Sequence, residues 1–183
     1  MRVRDAEPLD AESIGHVHAV AFGGDHGQLV ARLVRDLVVR YASEAVSLVA
    51  VESDEVVGHV LFSPALLDAP HELVPIGLLS PLGVRPEQQR TGVGRALVLA
   101  GVERLDERGV PLVVLEGDPQ YYRQLGFQMA RELQLRRPSL RIPGDAFQCR
   151  RLSAWQPSMT GTVVYPELFW THDAVGLREP LVR

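Results

Sequence analysis

The sequence predicts a single mixed α/β domain, and three observations carry that prediction. Apolar runs of strand length alternate with segments whose apolar residues recur at helical spacing. With 183 residues and 46% hydrophobic content, the chain is long enough for one well-packed core and short for two. Between Leu82 and Leu97 an apolar strand passes through a polar turn directly into a helix, a junction suited to holding an anion.

Met1 to Arg4 begins the chain as a short strand. Asp10 is placed to cap a helix reaching Phe22, with Ile14, Val17 and Ala21 on one face. His16 and His18 lie on this helix about 200° apart and cannot share a metal, so both read as partly buried structural histidines. Gly23-Gly24-Asp25 interrupts the chain before a second helix, from Gln28 to Tyr41. There Leu29, Leu33 and Leu37 combine with Val30, Val34 and Val38 into a broad apolar face. Ser47 to Val51 and Val56 to Phe62 read as a hairpin turning at Glu52-Ser53-Asp54-Glu55, with His59 structural.

Pro64 to Pro75 reads as a loop, and Val74 to Val84 as a buried strand in which Pro81, lacking an N–H, marks an edge or a bulge. Arg95 to Arg108 is helical through Leu97, Leu99, Val102 and Leu105. Pro111 to Leu115 is another strand. Asp118 and Pro119 then form a cap and first turn for a short helix, Gln120 to Leu125, closed by Gly126. A last strand falls within Gly161 to Pro166.

The functional signal is concentrated in Leu82-Gly83-Val84 and in Gln89-Arg90-Thr91-Gly92-Val93-Gly94-Arg95. The first N–H groups of a helix lack intrahelical partners, and the helix dipole adds partial positive charge there, favouring phosphate oxygens by about 0.3–2 kcal/mol. Glycine at 92 and 94 removes the Cβ atoms that would keep a pyrophosphate away, while Arg85, Arg90 and Arg95 can pair phosphate bidentately. A P-loop NTPase is excluded: it needs Lys then Ser or Thr after its last glycine, and this chain has no lysine. A dinucleotide fingerprint fits poorly, because a small residue is needed at position 97, where Leu stands.

Gln89-x-x-Gly92-x-Gly94 resembles the pyrophosphate-binding motif of the GNAT acetyltransferase superfamily. A second segment, Tyr122-Arg123-Gln124-Leu125-Gly126-Phe127, resembles the Tyr-x-x-Leu-Gly-Phe motif of the same superfamily, at an appropriate distance from the glycine turn. Gly117-Asp118-Pro119-Gln120-Tyr121-Tyr122 and Gly161-Thr162-Val163-Val164-Tyr165-Pro166 are similar to a poorly characterised bacterial branch. The resemblance covers most of residues 1–169 and leaves 170–183 as a tail, packed on the domain or partly disordered. It implies a GNAT-like mixed sheet flanked by helices, with splayed central strands forming an acyl-CoA cleft, and acetyl-CoA as donor held by Leu82–Val84 and Gln89–Arg95. It further implies N-acetyl transfer to a primary amine of a small molecule or protein by direct attack. The alternative is a non-catalytic acyl-CoA-binding module of the same fold.

In the scheme that the resemblance implies, Tyr122 is the catalytic residue that hydrogen-bonds or protonates the leaving sulfur. Full proton transfer from a phenol of pKa about 10 to a free thiolate near 8.5 is uphill by about 2 kcal/mol, so its help comes while the C–S bond is breaking. The glutamate that many GNAT enzymes place before the pyrophosphate turn is absent, since Ile76 to Val84 contains no carboxylate or histidine. Neutralising an alkylamine of pKa about 10.4 at pH 7 then costs about 4.6 kcal/mol, against about 1 for an α-amino group near 7.7. The departure tilts the acceptor towards a weakly basic amine, or towards a base acting through water. Glu116 is the leading candidate, followed by His71 and Glu72.

Net charge is −4, which implies no general affinity for nucleic acid or an anionic membrane. One cysteine, Cys149, excludes an internal disulfide framework, and no apolar stretch approaches the roughly 20 residues of a membrane span. With no basic, apolar leader at the N-terminus, a cytoplasmic enzyme is expected, without a metal. Arg131 to Arg151 carries six arginines against Glu132 and Asp145 and reads as solvated surface, with an acidic substrate or the CoA 3′-phosphate as alternatives. Trp155, Phe169 and Trp170 are candidates for an acceptor pocket, a homodimer contact or core packing.

Overall fold

Three consecutive antiparallel strands rich in Val and Leu form the centre of one mixed sheet: β2 (Val46–Glu52), β3 (Glu55–Asp68) and β4 (Leu73–Val84). The computed structural model describes residues 1–178. Before this meander come β1 (Arg2–Asp5), α1 (Ala11–Phe22) and α2 (Gly24–Arg40). After it come α3 (Val93–Glu107), β5 (Leu112–Glu116), α4 (Pro119–Arg123), β6 (Gln128–Met129), β7 (Leu135–Arg136), β8 (Phe147–Arg151), β9 (Gly161–Val164) and α5 (Glu167–Thr171). The strand order is β1-β2-β3-β4-β5-β8-β6, with β9 bridging β3 and β7.

The sheet is covered on both faces. On one, Leu33 and Leu37 of α2 pack with Leu61, Ala65 and Leu67 of β3, Ile76 and Leu78 of β4, and Leu112 and Val114 of β5. On the other, Val93, Leu97, Val98, Val102 and Leu105 of α3 meet Val60, Phe62, Leu79, Val113 and Leu115. These alternations follow from the period-2 pleat, which turns successive side chains to opposite faces.

The pairing of β3 with β4 is interrupted once. Val60 pairs with Leu82 and Phe62 with Leu79, so Ser80 and Pro81 together oppose Leu61 and form a β-bulge. Before the bulge, Gly77 and Leu79 face α3; after it, Leu82 and Val84 do, and Gly83 turns towards His18 of α1. β4 and β5 run parallel but pair only from Gly77–Leu79 to Val113–Leu115. Beyond Leu79, β4 continues for five residues with β3 on one side and, among the described residues, no strand on the other.

Several boundaries differ from the sequence expectation for physical reasons. The expected loop from Pro64 to Pro75 is mostly strand, because β3 continues to Asp68 and β4 starts at Leu73. Pro64 is tolerated where that edge of β3 has no partner, after β2 ends opposite Phe62 and before β9 begins opposite Leu66. Helix α2 starts at Gly24 rather than Gln28, since Gly23, at φ 69°, turns the corner and its carbonyl already accepts from Gly27. Asp10 does not cap α1: its carboxylate accepts from Arg4 at 2.6 and 2.9 Å and from the Glu7 N–H. Asp118 does cap α4, accepting from the Gln120 N–H at 2.8 Å.

The arginine-rich segment is not simply solvated surface. Within it β8 pairs with β5 and buries Phe147, Gln148 and Cys149, while Arg150 donates to the Leu125 carbonyl at 2.6 Å. Of the three aromatic candidates, Phe169 is core and packs on Tyr165, Trp155 is partly buried beneath the Arg151 guanidinium, and Trp170 is exposed. The expected tail from residue 170 includes Val175, which is fully buried, whereas 179–183 lie outside the described residues. Among the described residues no helix is long and apolar enough to cross a membrane.

His18 and His59 form a buried pair rather than two separate histidines, with Nε2 of His18 2.7 Å from Nδ1 of His59 and Ser47 Oγ 2.9 Å from the far side of His59. Burial drives His18 from its ordinary 6.5 down to about 3 and holds His59 well below its ordinary value, so both are neutral near pH 7.

Two outcomes follow from this packing. In Gly101→Ala the added Cβ would meet the Phe62 ring, and overpacking of about 1–3 kcal/mol should outweigh the gain in helix propensity of about 1 kcal/mol. The urea midpoint is therefore expected to fall at unchanged slope. For the histidine pair, the unfolded chain binds protons that the folded chain refuses, so stability is full above about pH 6.5 and declines as pH falls towards about 3, the folded value of His18. Urea midpoints taken between pH 7.5 and 5, above most carboxylate titration, should drop; a flat profile would show that the folded pair accepts protons.

Candidate active site

The cleft opens where α3 begins. Gly92 adopts φ 99°, ψ −3°, a left-handed conformation suited to glycine, and the N-terminus of α3 has no side-chain cap. The helix's leading N–H groups therefore face outward without intrahelical or capping partners. A Cβ at Gly92 would meet nothing within 4 Å, which leaves open space over the turn. The cleft measures about 420 Å³ and is lined by Leu82 and Val84 of β4, Gln89, Arg90, Gly92, Gly94 and Arg95 of the turn, with Ala21, Phe22 and Tyr121.

Most of the residues singled out by sequence are brought together here. Gln89 and Thr91 hold the turn in shape: the Gln89 amide donates to the Val84 carbonyl at 3.1 Å and the Thr91 hydroxyl to the Gln88 carbonyl at 2.7 Å. Arg90 and Arg95 provide the charge, while Arg85 is drawn away to Glu55 at 2.7 Å. Gly83 and Val93 are buried behind the cleft, Gly83 against His18 and Val93 in the α3 core. Gly94 has its own reason to be glycine, since a Cβ there would sit 2.8 Å from the Tyr121 hydroxyl.

These features fit a polyanion with an amide-bearing arm. Unpartnered helix N–H groups and two arginines suit a pyrophosphate, and the unpaired edge of β4 from Ser80 to Val84 offers backbone groups to an extended chain. The sequence reading missed Ala21, Phe22 and Tyr121 as cleft residues. Phe22 carried a signal, as an apolar residue immediately before the Gly23-Gly24 corner, which swings it out at the helix end.

Tyr122 lies on the other arm of the fork, below the end of β5. Its ring is mostly buried, edge-on to Tyr121 and Phe127 at centroid distances of 4.9 and 5.6 Å. Gly117 makes room for it, since a Cβ there would fall 2.8 Å from Tyr122 Cδ2. Burial, with Tyr121 alongside, pushes the Tyr122 phenol well above its ordinary value, so it is protonated at neutral pH.

A strand bulge, a sheet that forks beyond it and an uncapped helix opening over the fork belong to one known architecture. Residues 2–130 match the model of the acetyltransferase (GNAT) domain. The chain belongs to the GNAT acetyltransferase family. It is 35% identical over 173 residues to the uncharacterized N-acetyltransferase YhbS of Escherichia coli, covering 92% of this chain and 98% of that protein. A crystal structure of GNAT family YhbS from Escherichia coli in complex with CoA superposes with a TM-score of 0.80 at 33% identity, covering 92% of this chain and 91% of that one. A GNAT family acetyltransferase from Brucella melitensis in complex with acetyl-CoA gives 0.72 at 30% identity, over 92% and 97% of the two chains.

The chain is thus an acetyl-CoA-dependent N-acyltransferase of the GNAT family. Among the described residues no cluster of three or more His, Cys, Asp or Glu could hold a metal ion. Gly92→Asp adds bulk and negative charge at the GNAT turn, and calorimetric titration with CoA should show affinity reduced at least about 100-fold, since losing about 3 kcal/mol of phosphate contact corresponds to that factor. Wild-type affinity in this variant would remove the turn from the binding site.

Proposed function

We propose that this GNAT domain transfers the acetyl group of acetyl-CoA to a primary amine by direct attack, with the donor held by Leu82–Val84 and Gln89–Arg95 and with Tyr122 assisting departure of the sulfur. The observation that carries the reading is the fork itself. One arm presents the unpaired edge of β4 leading to the glycine turn, and the other ends at Gly117, against which the Tyr122 ring lies. A linear thioester laid along the first arm brings its reactive end towards the second.

The chain's own groups support each stage. Helix N–H groups and Arg90 and Arg95 anchor phosphate; backbone groups of β4 align the arm; the apolar side chains of Leu82 and Val84 exclude water along it. Tyr122 is held as a neutral donor by its apolar surroundings, and the Tyr121 and Phe127 rings fix its orientation. The bound donor supplies the thioester, an acyl group already activated for attack by nitrogen.

The reading is tested by following thiol release from acetyl-CoA across a panel of primary amines, from α-amino compounds to alkylamines. Amine-dependent release is expected, and in Tyr122→Phe the turnover should fall by about 10²–10⁴-fold with CoA affinity little changed. Turnover equal to wild type in this variant would remove Tyr122 from the chemistry, and CoA binding without amine-dependent release would point to a binding module.

A further inference from the structure

We infer that Glu116, at the fork where β4 and β5 part, receives the proton of the incoming ammonium, and that Tyr165 is its positioning residue. The inference rests on the acetyl-transfer reading above and adds to it the group that prepares the acceptor.

Position is the first argument. The last paired residues of the two strands are Leu79 and Leu115, and Glu116 is the next residue of β5. It stands beside the bulge, at the apex from which the unpaired edge of β4 departs. Alternation along β5 sends Leu112 and Val114 to the α2 face, and Glu116 follows them. Tyr122 packs on the α3 face, against Gly117. A carboxylate and a phenol thus flank the end of one strand from opposite sides, which separates the side where a proton is removed from the side where one is given.

Environment is the second argument. Glu116 is mostly buried, yet no arginine is ion-paired with it among the described residues. The cation facing it, Arg141, is instead bonded to Asp173 at 3.0 Å. The carboxylate accepts one bond, from the Gly176 N–H at 3.2 Å. Facing it from the segment after β9 is the buried phenol of Tyr165, whose hydroxyl points its hydrogen-bonding capacity at the Glu116 carboxylate without closing a full-length bond to it. A partly buried carboxylate without an ion-paired arginine, steadied by a neutral phenol, is chemistry that suits a primary ammonium. Burial also lifts the Glu116 carboxyl above its ordinary value, against the opposing pull of Tyr165, Gly176 and Arg141, which makes it a better base than a solvated glutamate. His71 and Glu72 are excluded by distance: they are exposed in the turn before β4, roughly 25 Å along the strand from the bulge.

The step balances. The ammonium gives one proton to the Glu116 carboxylate, and the freed nitrogen pair forms the C–N bond at the thioester carbonyl. The C–S bond breaks with its electrons on sulfur; the thiolate takes a proton from Tyr122, which regains one from the nitrogen, and the proton on Glu116 passes to solvent. Ammonium and acetyl-CoA thus give amide, CoA thiol and one proton.

Glu116→Gln keeps an acceptor for the Gly176 N–H and removes only the basicity. The test compares wild type and this variant with a primary alkylamine and its β-fluorinated analogue, which is similar in shape but less basic. For the alkylamine, kcat/KM is expected to fall by about 10²–10⁴-fold near neutral pH and its acidic limb to move up towards the amine's own pKa; for the fluorinated amine the fall should be at least tenfold smaller, with CoA affinity by calorimetry unchanged. Tyr165→Phe should shift the acidic limb without abolishing it. Equal losses for both amines, or an unchanged acidic limb in Glu116→Gln, would overturn the assignment. Wild-type protein that releases no thiol with any amine would instead defeat the transfer reading itself.

Discussion

Backbone hydrogen bonding is the constraint on which the rest of this structure depends. A strand in the middle of a sheet ordinarily has both edges paired, and β4 obeys this only as far as Leu79. There the bulge at Ser80–Pro81 adds a residue, β5 ends its pairing, and the remaining edge is unpaired among the described residues. The uncapped start of α3 repeats the pattern one turn later. The site consists largely of backbone groups whose partners the fold withholds, offset by a well-packed core on either face of the sheet.

Much of the cleft around the glycine turn was legible in the sequence because its requirements are stereochemical. Gly92 needs positive φ and Gly94 needs clearance from Tyr121, so the glycines announce the turn wherever they occur after an apolar strand. Helix α3, the hairpin of β2 and β3 and the Asp118 cap were readable from periodicity and local chemistry. Pro81 announced the bulge for a similar reason, since a residue without an N–H is best placed where the ladder breaks.

What escaped the sequence depends on distant partners. Strand β8 contains Gln148 and two arginines, a composition that reads as surface until β5 lies alongside, Gly117 accepts from the Gln148 amide and Leu125 accepts from Arg150. The His18–His59 contact joins residues 41 apart, and neither flanking sequence hints at it. Glu116 was visible as a residue but not as an environment: its neighbours Arg141, Tyr165 and Gly176 arrive from later segments of the chain. A cleft wall built from one continuous turn is local information; the surroundings of Glu116, assembled from three segments, are not.

The bulge also sets which parts of the chain can change length. Leu82 and Val84 face the cleft, and Gly83 faces His18, only because Ser80 and Pro81 together oppose a single residue of β3. Deleting one of them would exchange the two walls, driving leucine and valine side chains into the space that His18 occupies and turning the bare glycine towards the cleft. Turns elsewhere tolerate insertion at small entropic cost. In this strand, one residue is the whole difference between the lining of the cleft and its backing.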